Sequence, residues 1–346
     1  MKLKSRLGIS LPMLNQPYDQ YPLFAHLAEE AGFDSVWDYE CYRNPFMTLG
    51  LCARTTRRIK LCTGAAAACA RSPNEMANAA ADVDELSNGR MVLGVGTGGA
   101  DFAELYNGAD ISHPLPRMTE YIQALRAIWH HHASDGEALE LRGRFHSVTS
   151  PPVNIFGPRR RLARKTIPIY LAALKPRMLQ MAGAMADGVL GFLNTPRFVT
   201  EHVLPNVARG ARQAGRDPAD IDVASLIICS VDADREAALR LARIQVGIYV
   251  AYSVGVPMVE FMGLQEDRKA VLAALMSGGP RALERTTSDA LLRTFSIHGT
   301  PEEAREQLAI FDGVLPHIVL HMPYVPPVDQ AASETAFRNA VMAFAR

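Results

Sequence analysis

The chain carries no excess of charge of either sign. Thirty-six Lys plus Arg balance 36 Asp plus Glu over 346 residues, a formal net charge of zero. No global basic field is present to draw in nucleic acid. Cysteine is sparse and unpatterned: Cys41, Cys52, Cys62, Cys69 and Cys229 form an odd set without a C-x-x-C pair. That argues against a disulfide framework or a structural zinc site, and for reduced thiols in a cytoplasmic setting. No apolar run reaches membrane-spanning length, because the Ala-rich stretch 64–70 is short and Arg71 ends it. Residues 1–12 lack an apolar segment followed by a small-residue cleavage site. H-E-x-x-H and G-x-S-x-G are missing, which leaves a metal-dependent barrel hydrolase and a serine hydrolase unsupported. His130, His131 and His132 end a predicted helix, where cations complement the dipole, so no metal site is expected there.

The chain does have a repeating alternation. Residues 7–12 read as a short buried strand, 21–32 as a helix stopped by Gly32, and 33–39 as a second strand. A helix through 48–55, a strand at 59–66, a helix at 73–86 and an apolar strand at 91–96 follow. Continuous apolar strands suit a parallel sheet buried on both faces. The alternation resumes with strands at 167–174, 188–193 and 223–231, helices at 176–185 and 198–214, a last strand at 318–322 and a helix from Ala331. Eight strands of this kind specify an α/β fold, a (β/α)8 TIM barrel, expected as one domain over 1–346. Two segments exceed the repeat and read as lids over the C-terminal face. One is 98–166, with a helix at 117–130 and a Pro-rich irregular stretch at 148–158. The other is 232–317, read mainly as helices.

Three strand ends carry candidate chemistry. Gly94-Val95-Gly96-Thr97-Gly98-Gly99 could bring backbone amides against a ligand, or be only a tight turn. Cys62-Thr63-Gly64 and the alanines after it leave room for a flat ring, or pack closely. Trp37-Asp38-Tyr39-Glu40-Cys41-Tyr42 leaves strand two, and the shared parity of Asp38 and Glu40 lets both face one pocket. A carboxylate there could bond a ring or act as an acid; Cys41 is a further candidate, although nothing in the sequence marks a thiolate environment. The basic cluster Arg159, Arg160, Arg161, Arg164 and Lys165 reads as a solvated loop or an anion site.

Taken in order, these segments resemble a known family. Gly32-Phe33-Asp34-Ser35-Val36-Trp37, then Ala53-Arg54-Thr55-Thr56-Arg57-Arg58-Ile59-Lys60-Leu61, Arg71-Ser72-Pro73, Leu86-Ser87-Asn88-Gly89-Arg90 and Gly94-Val95-Gly96-Thr97-Gly98 look like the luciferase-like monooxygenase superfamily. The G-V-G-T-G form resembles its branch that uses the deazaflavin coenzyme F420, which includes methylenetetrahydromethanopterin reductase. Pro168 to Ala173, Ala186-Asp187-Gly188 and Gly299-Thr300-Pro301-Glu302-Glu303 extend the likeness over nearly the whole chain.

The resemblance implies a cis peptide at Gly64–Ala65 backing the cofactor ring. It also implies that Gly96, Thr97 and Gly98, with Ala172, Ala173, Lys175 and Pro176, border the ring and its phosphate. Many relatives have Asp-His where this chain has Glu40-Cys41, and the F420-dependent glucose-6-phosphate dehydrogenase of the same branch has a catalytic Glu where this chain has Gly99. Glucose 6-phosphate oxidation is therefore not expected. The implied function is F420-dependent hydride transfer to or from a small organic substrate, with Glu40 or water supplying any proton. An FMN-dependent monooxygenase and a non-catalytic flavin-binding relative are the alternatives. The family also implies a homodimer.

Overall fold

The computed structural model describes residues 3–12, 16–41, 43–99, 103–104, 107–134, 137–152, 160 and 162–346. Eight parallel strands close on themselves in chain order: β1 (Arg6–Ser10), β2 (Ser35–Asp38), β3 (Lys60–Thr63), β4 (Met91–Gly96), β5 (Ile169–Ala172), β6 (Gly188–Phe192), β7 (Asp222–Val231) and β8 (His317–His321). β8 pairs back onto β1 from Arg6 opposite His317, and β6 meets β7 from Gly188 opposite Asp222. The expected barrel is present.

Strand parity divides the core into two layers. Trp37, Cys62, Val92, Tyr170, Leu190, Ala224, Leu226 and Val319 fill the barrel interior. Their neighbours Val36, Leu61, Leu93, Leu171, Val189 and Ile318 face the helices. Burial on both faces is why these strands read as unbroken apolar runs.

The N-terminal end of the barrel is closed by polar groups. Asp222 pairs with Arg6 and accepts from the Tyr170 hydroxyl. His317 Nδ1 lies 3.6 Å from Asp222, its Nε2 is 2.8 Å from Ser35 Oγ, and Trp37 Nε1 donates to Ser35 Oγ at 2.7 Å. Burial opposes the Asp222 charge, but His317, Arg6 and Tyr170 together hold its carboxyl down at about 2. Gly8 is required here, because a Cβ would strike Ser35, Trp37 and His317.

Some boundaries differ from the sequence expectation. The second helix begins earlier, at Pro45 (Pro45–Thr55), because Asn44 caps Phe46 N at 3.0 Å and proline is tolerated in a first turn. The helix of the first insertion is longer, Pro114–Ala133, and is followed by an antiparallel hairpin of Leu139–Arg142 with Ser147–Ser150. Val148 to Ser150 is thus strand rather than irregular chain, and 153–158 lies outside the described residues. The second insertion is not helical throughout: Ser296–Gly299 is a fully buried strand paired with β7 from Ile228 onward. Its four residues are too few to show periodicity, so only the partner strand reveals them.

Candidate active site

At the C-terminal mouth, one wall is built from backbone and methyl groups. β3 ends at Thr63, whose hydroxyl donates to Gly94 O at 2.7 Å. The next peptide, Gly64–Ala65, is cis, and the chain returns to the sheet as Ala66–Ala67 beside Val95 and Gly96. Gly64 N donates to Asp38 O at 2.7 Å. A Cβ at Gly96 would stand 3.0 Å from the Ala172 methyl and 3.8 Å from that of Ala65; one at Gly64 would stand 3.0 Å from the Trp37 ring. Gly64, Ala65, Gly96 and Ala172 therefore converge on one cradle that any larger side chain would fill. Its surface fits a flat ring system, with the Trp37 indole beneath.

The remaining residues implied by the resemblance continue this wall. Gly98 takes a left-handed φ of 79° after Thr97, whose hydroxyl donates to Gly98 O at 3.0 Å. Ala173 is buried, with its N donating to Leu190 O at 3.1 Å. Lys175 and Pro176 are exposed at the start of the helix Pro176–Met185. A helix N-terminus beside an ammonium group suits an anion.

The three acid–base candidates at the end of β2 and just beyond it do not share a pocket. Asp38 turns outward, 6% exposed, near Thr48, Tyr21 and Cys52, and accepts Tyr39 N at 3.0 Å. Burial pushes its carboxyl up to about 7. Glu40 turns the other way. One oxygen accepts Ala67 N at 2.7 Å and the other pairs with Arg71, so both are taken. Equal parity misleads here because the strand ends at Asp38 and Glu40 lies beyond it. Cys41 is half-buried near Tyr39 and Tyr249. Tyr42 lies outside the described residues.

Sequence reasoning missed the group facing this wall. His321, at the end of β8, is 1% exposed and ringed by Tyr39, Phe192, Tyr249 and Tyr324 at centroid distances of 5.3 to 5.8 Å. Tyr249 and Gln245 come from the second insertion (helix Arg235–Ala251), so that segment does reach the mouth. The only signal was the position of His321 at a strand end. Burial pulls its imidazole down to about 3. On the other flank, Cys69, Thr97, Asp110, Arg117, Tyr121 and His146 line a cleft under the first insertion.

The basic cluster is engaged on the outside. Arg160 pairs with Asp82 and Glu85, and Arg164 with Asp84; Arg159 and Arg161 lie outside the described residues. Among the described residues, no group of acidic, His and Cys side chains could hold a metal ion, and no single helix is long and apolar enough to cross a membrane.

A closed parallel barrel with a cradle of glycine and alanine at its C-terminal mouth has the architecture of barrel enzymes, which carry their sites on that face. The sequence model of the luciferase-like monooxygenase family matches residues 5–315, and the chain belongs to that family. It is 31% identical over 314 residues to 5,10-methylenetetrahydromethanopterin reductase of Methanolobus tindarius, covering 89% of this chain and 91% of that protein. Identity to the reductase of the same name from Archaeoglobus fulgidus is 32% over 298 residues, covering 84% and 85%. The solved coenzyme F420-dependent tetrahydromethanopterin reductase of Methanopyrus kandleri superposes with a TM-score of 0.78 at 25% identity, covering 98% of this chain and 99% of that one.

Proposed function

We propose that this chain is an oxidoreductase that binds coenzyme F420 at the barrel mouth and passes a hydride between the deazaflavin and a small organic substrate. The observation that carries this reading is the cradle of Gly64, Ala65, Gly96 and Ala172, in a chain similar over most of its length to F420-dependent reductases. When bound, the deazaflavin supplies two-electron hydride chemistry.

The chain's own residues do the rest. The backbone at Gly64, Ala65, Gly96, Thr97 and Gly98, with Ala172 and Ala173, holds the ring. Lys175 and the amides after Pro176 take an anionic group. Tyr39, Phe192, Tyr249 and Tyr324 wall the opposite side, orient the acceptor and keep water from it. Glu40, tied to Arg71 and Ala67 N, braces the cradle rather than delivering protons. A methylene-bridged pterin, as in the reductases' name, is the first substrate to try.

Parallel spectroscopic titration of the purified protein with oxidised F420 and FMN tests the proposal. Tight F420 binding with bleaching or recovery on adding substrate is expected. Tight FMN binding with indifference to F420 would overturn it, and oxygen uptake with reduced FMN would then point to the monooxygenase. Binding without any substrate-dependent change would favour the non-catalytic reading. The proposal extends to a single domain over 1–346, a cytoplasmic location and a homodimer. Exposed Leu23, Met47 and Leu86 on the first three helices support the dimer, which light scattering checks.

A further inference from the structure

Tyr39 differs from every other acid–base group at the mouth. Asp38 lies behind the sheet, and both oxygens of Glu40 are committed. Tyr39 lies one residue beyond β2, between Asp38, whose carbonyl accepts Gly64 N, and Glu40, whose N donates to Ala65 O at the end of the cradle. Its ring is half-buried, edge-on to His321 at 5.3 Å and tilted against Tyr324 at 6.0 Å. Among the described residues its hydroxyl makes no hydrogen bond, and it is not sealed in the core.

The groups behind it form a fixed, uncharged support. The Tyr249 and Tyr324 hydroxyls are 2.5 Å apart, and that of Tyr249 is 3.3 Å from His321 Nε2. Gln245 Nε2 approaches the same ring nitrogen at 3.4 Å, while Gln245 Oε1 accepts Tyr324 N and Val325 N. Among the described residues, His321 Nδ1 is buried without a partner. The titratable groups facing Tyr39 are Tyr324, Tyr249, Asp38 from behind the strand, Cys41 and the imidazole, with no cation among them. A buried imidazole without a counter-charge stays neutral, so it offers no imidazolium as the acid, whereas a phenol in the same surroundings keeps its proton and can donate it.

We propose that the Tyr39 hydroxyl is the catalytic proton donor of this site, hydrogen-bonding the oxygen or nitrogen of a carbonyl, imine or methylene-bridge acceptor. This rests on the hydride-transfer reading above. As two electrons and a hydrogen reach the acceptor carbon from the reduced deazaflavin, the π pair of a C=O or neutral C=N, or the C–N bonding pair of a methylene bridge that opens, moves onto the heteroatom. The Tyr39 O–H bond breaks, the heteroatom–H bond forms, and the phenolate takes a proton back from water at the mouth. The substrate class is therefore a carbon bound to an oxygen or nitrogen that can take up the displaced pair and a proton: a carbonyl, an imine or a methylene bridge between two nitrogens.

Tyr39→Phe keeps the ring and its packing, so the fold is retained. With reduced F420 and either acetone or 5,10-methylenetetrahydromethanopterin as probe, the variant is expected to lose about 100-fold or more in kcat, the range that general acids supply, with F420 affinity unchanged. A second readout needs no turnover. In the complex with oxidised F420, the 13Cζ resonance of Tyr39, assigned by its loss in the variant, is expected to move when acetone or the pterin is added. Variant turnover at the wild-type rate, or a Tyr39 resonance indifferent to both probes, overturns the proposal. Should the wild type reduce neither probe, the resonance decides alone. Wild-type protein that fails to bind F420 at all removes the hydride-transfer reading first, and this shows in the titration before any variant is made.

Discussion

Asp38 should make the folded protein less stable as pH rises. Its carboxyl is buried behind β2 and receives one hydrogen bond from Tyr39 N, while burial outweighs the attraction of Arg43 and lifts it from 3.8 to about 7. Between these two values the folded chain keeps a proton that the unfolded chain has released. Stability therefore falls with increasing pH across that window, by about 1.4 kcal/mol per unit and about 4 kcal/mol in all. Below the window both states are protonated and the penalty is absent; above it both are ionised and the penalty is complete. Asp38→Asn mimics the protonated acid in shape and removes the penalty. Urea unfolding of both proteins at about pH 4 and about pH 8 measures it: near-equal stability at the lower pH, and a variant more stable by up to about 4 kcal/mol at the higher. A gap that stays constant with pH, or a variant less stable at the higher pH, would refute the reasoning.

Gly96→Val should fill the cradle without unfolding the barrel. Overpacking against Ala172 costs about 1–3 kcal/mol, enough to weaken F420 binding about 10- to 100-fold in a fluorescence titration. Glu40→Gln removes the buried carboxylate from Arg71, whose side chain is only 10% exposed and keeps just the half-exposed Glu75 at 3.1 Å; a loss of about 2 kcal/mol in urea unfolding is expected. Asp222 has the opposite sign to Asp38. Its lowered carboxyl contributes stability that is present above about 3.8 and lost as pH falls through about 2. In acid titrations followed by circular dichroism, Asp222→Asn should therefore flatten that loss.

Much of the fold was legible because burial writes itself into local pattern. β4, Met91–Gly96, is buried at every position and apolar at nearly every one, and the helix Pro73–Leu86 carries its cap Ser72 and first-turn proline in plain view. Ser296–Gly299 was not legible, because a four-residue strand has no periodicity and is defined by its pairing with β7. The shared pocket of Asp38 and Glu40 failed for a related reason: parity holds only while the chain stays extended.

The sequence alone determined the eight-strand count, the two insertions and the small residues at the ends of β3, β4 and β5, since each depends on the order and size of neighbouring residues. Only the tertiary structure decided what those strand ends confront. Tyr39, Tyr249, His321 and Tyr324 are spread over nearly the whole chain, and barrel closure brings their rings together opposite the cradle. No spacing rule links residues whose contact is created by β8 pairing back onto β1.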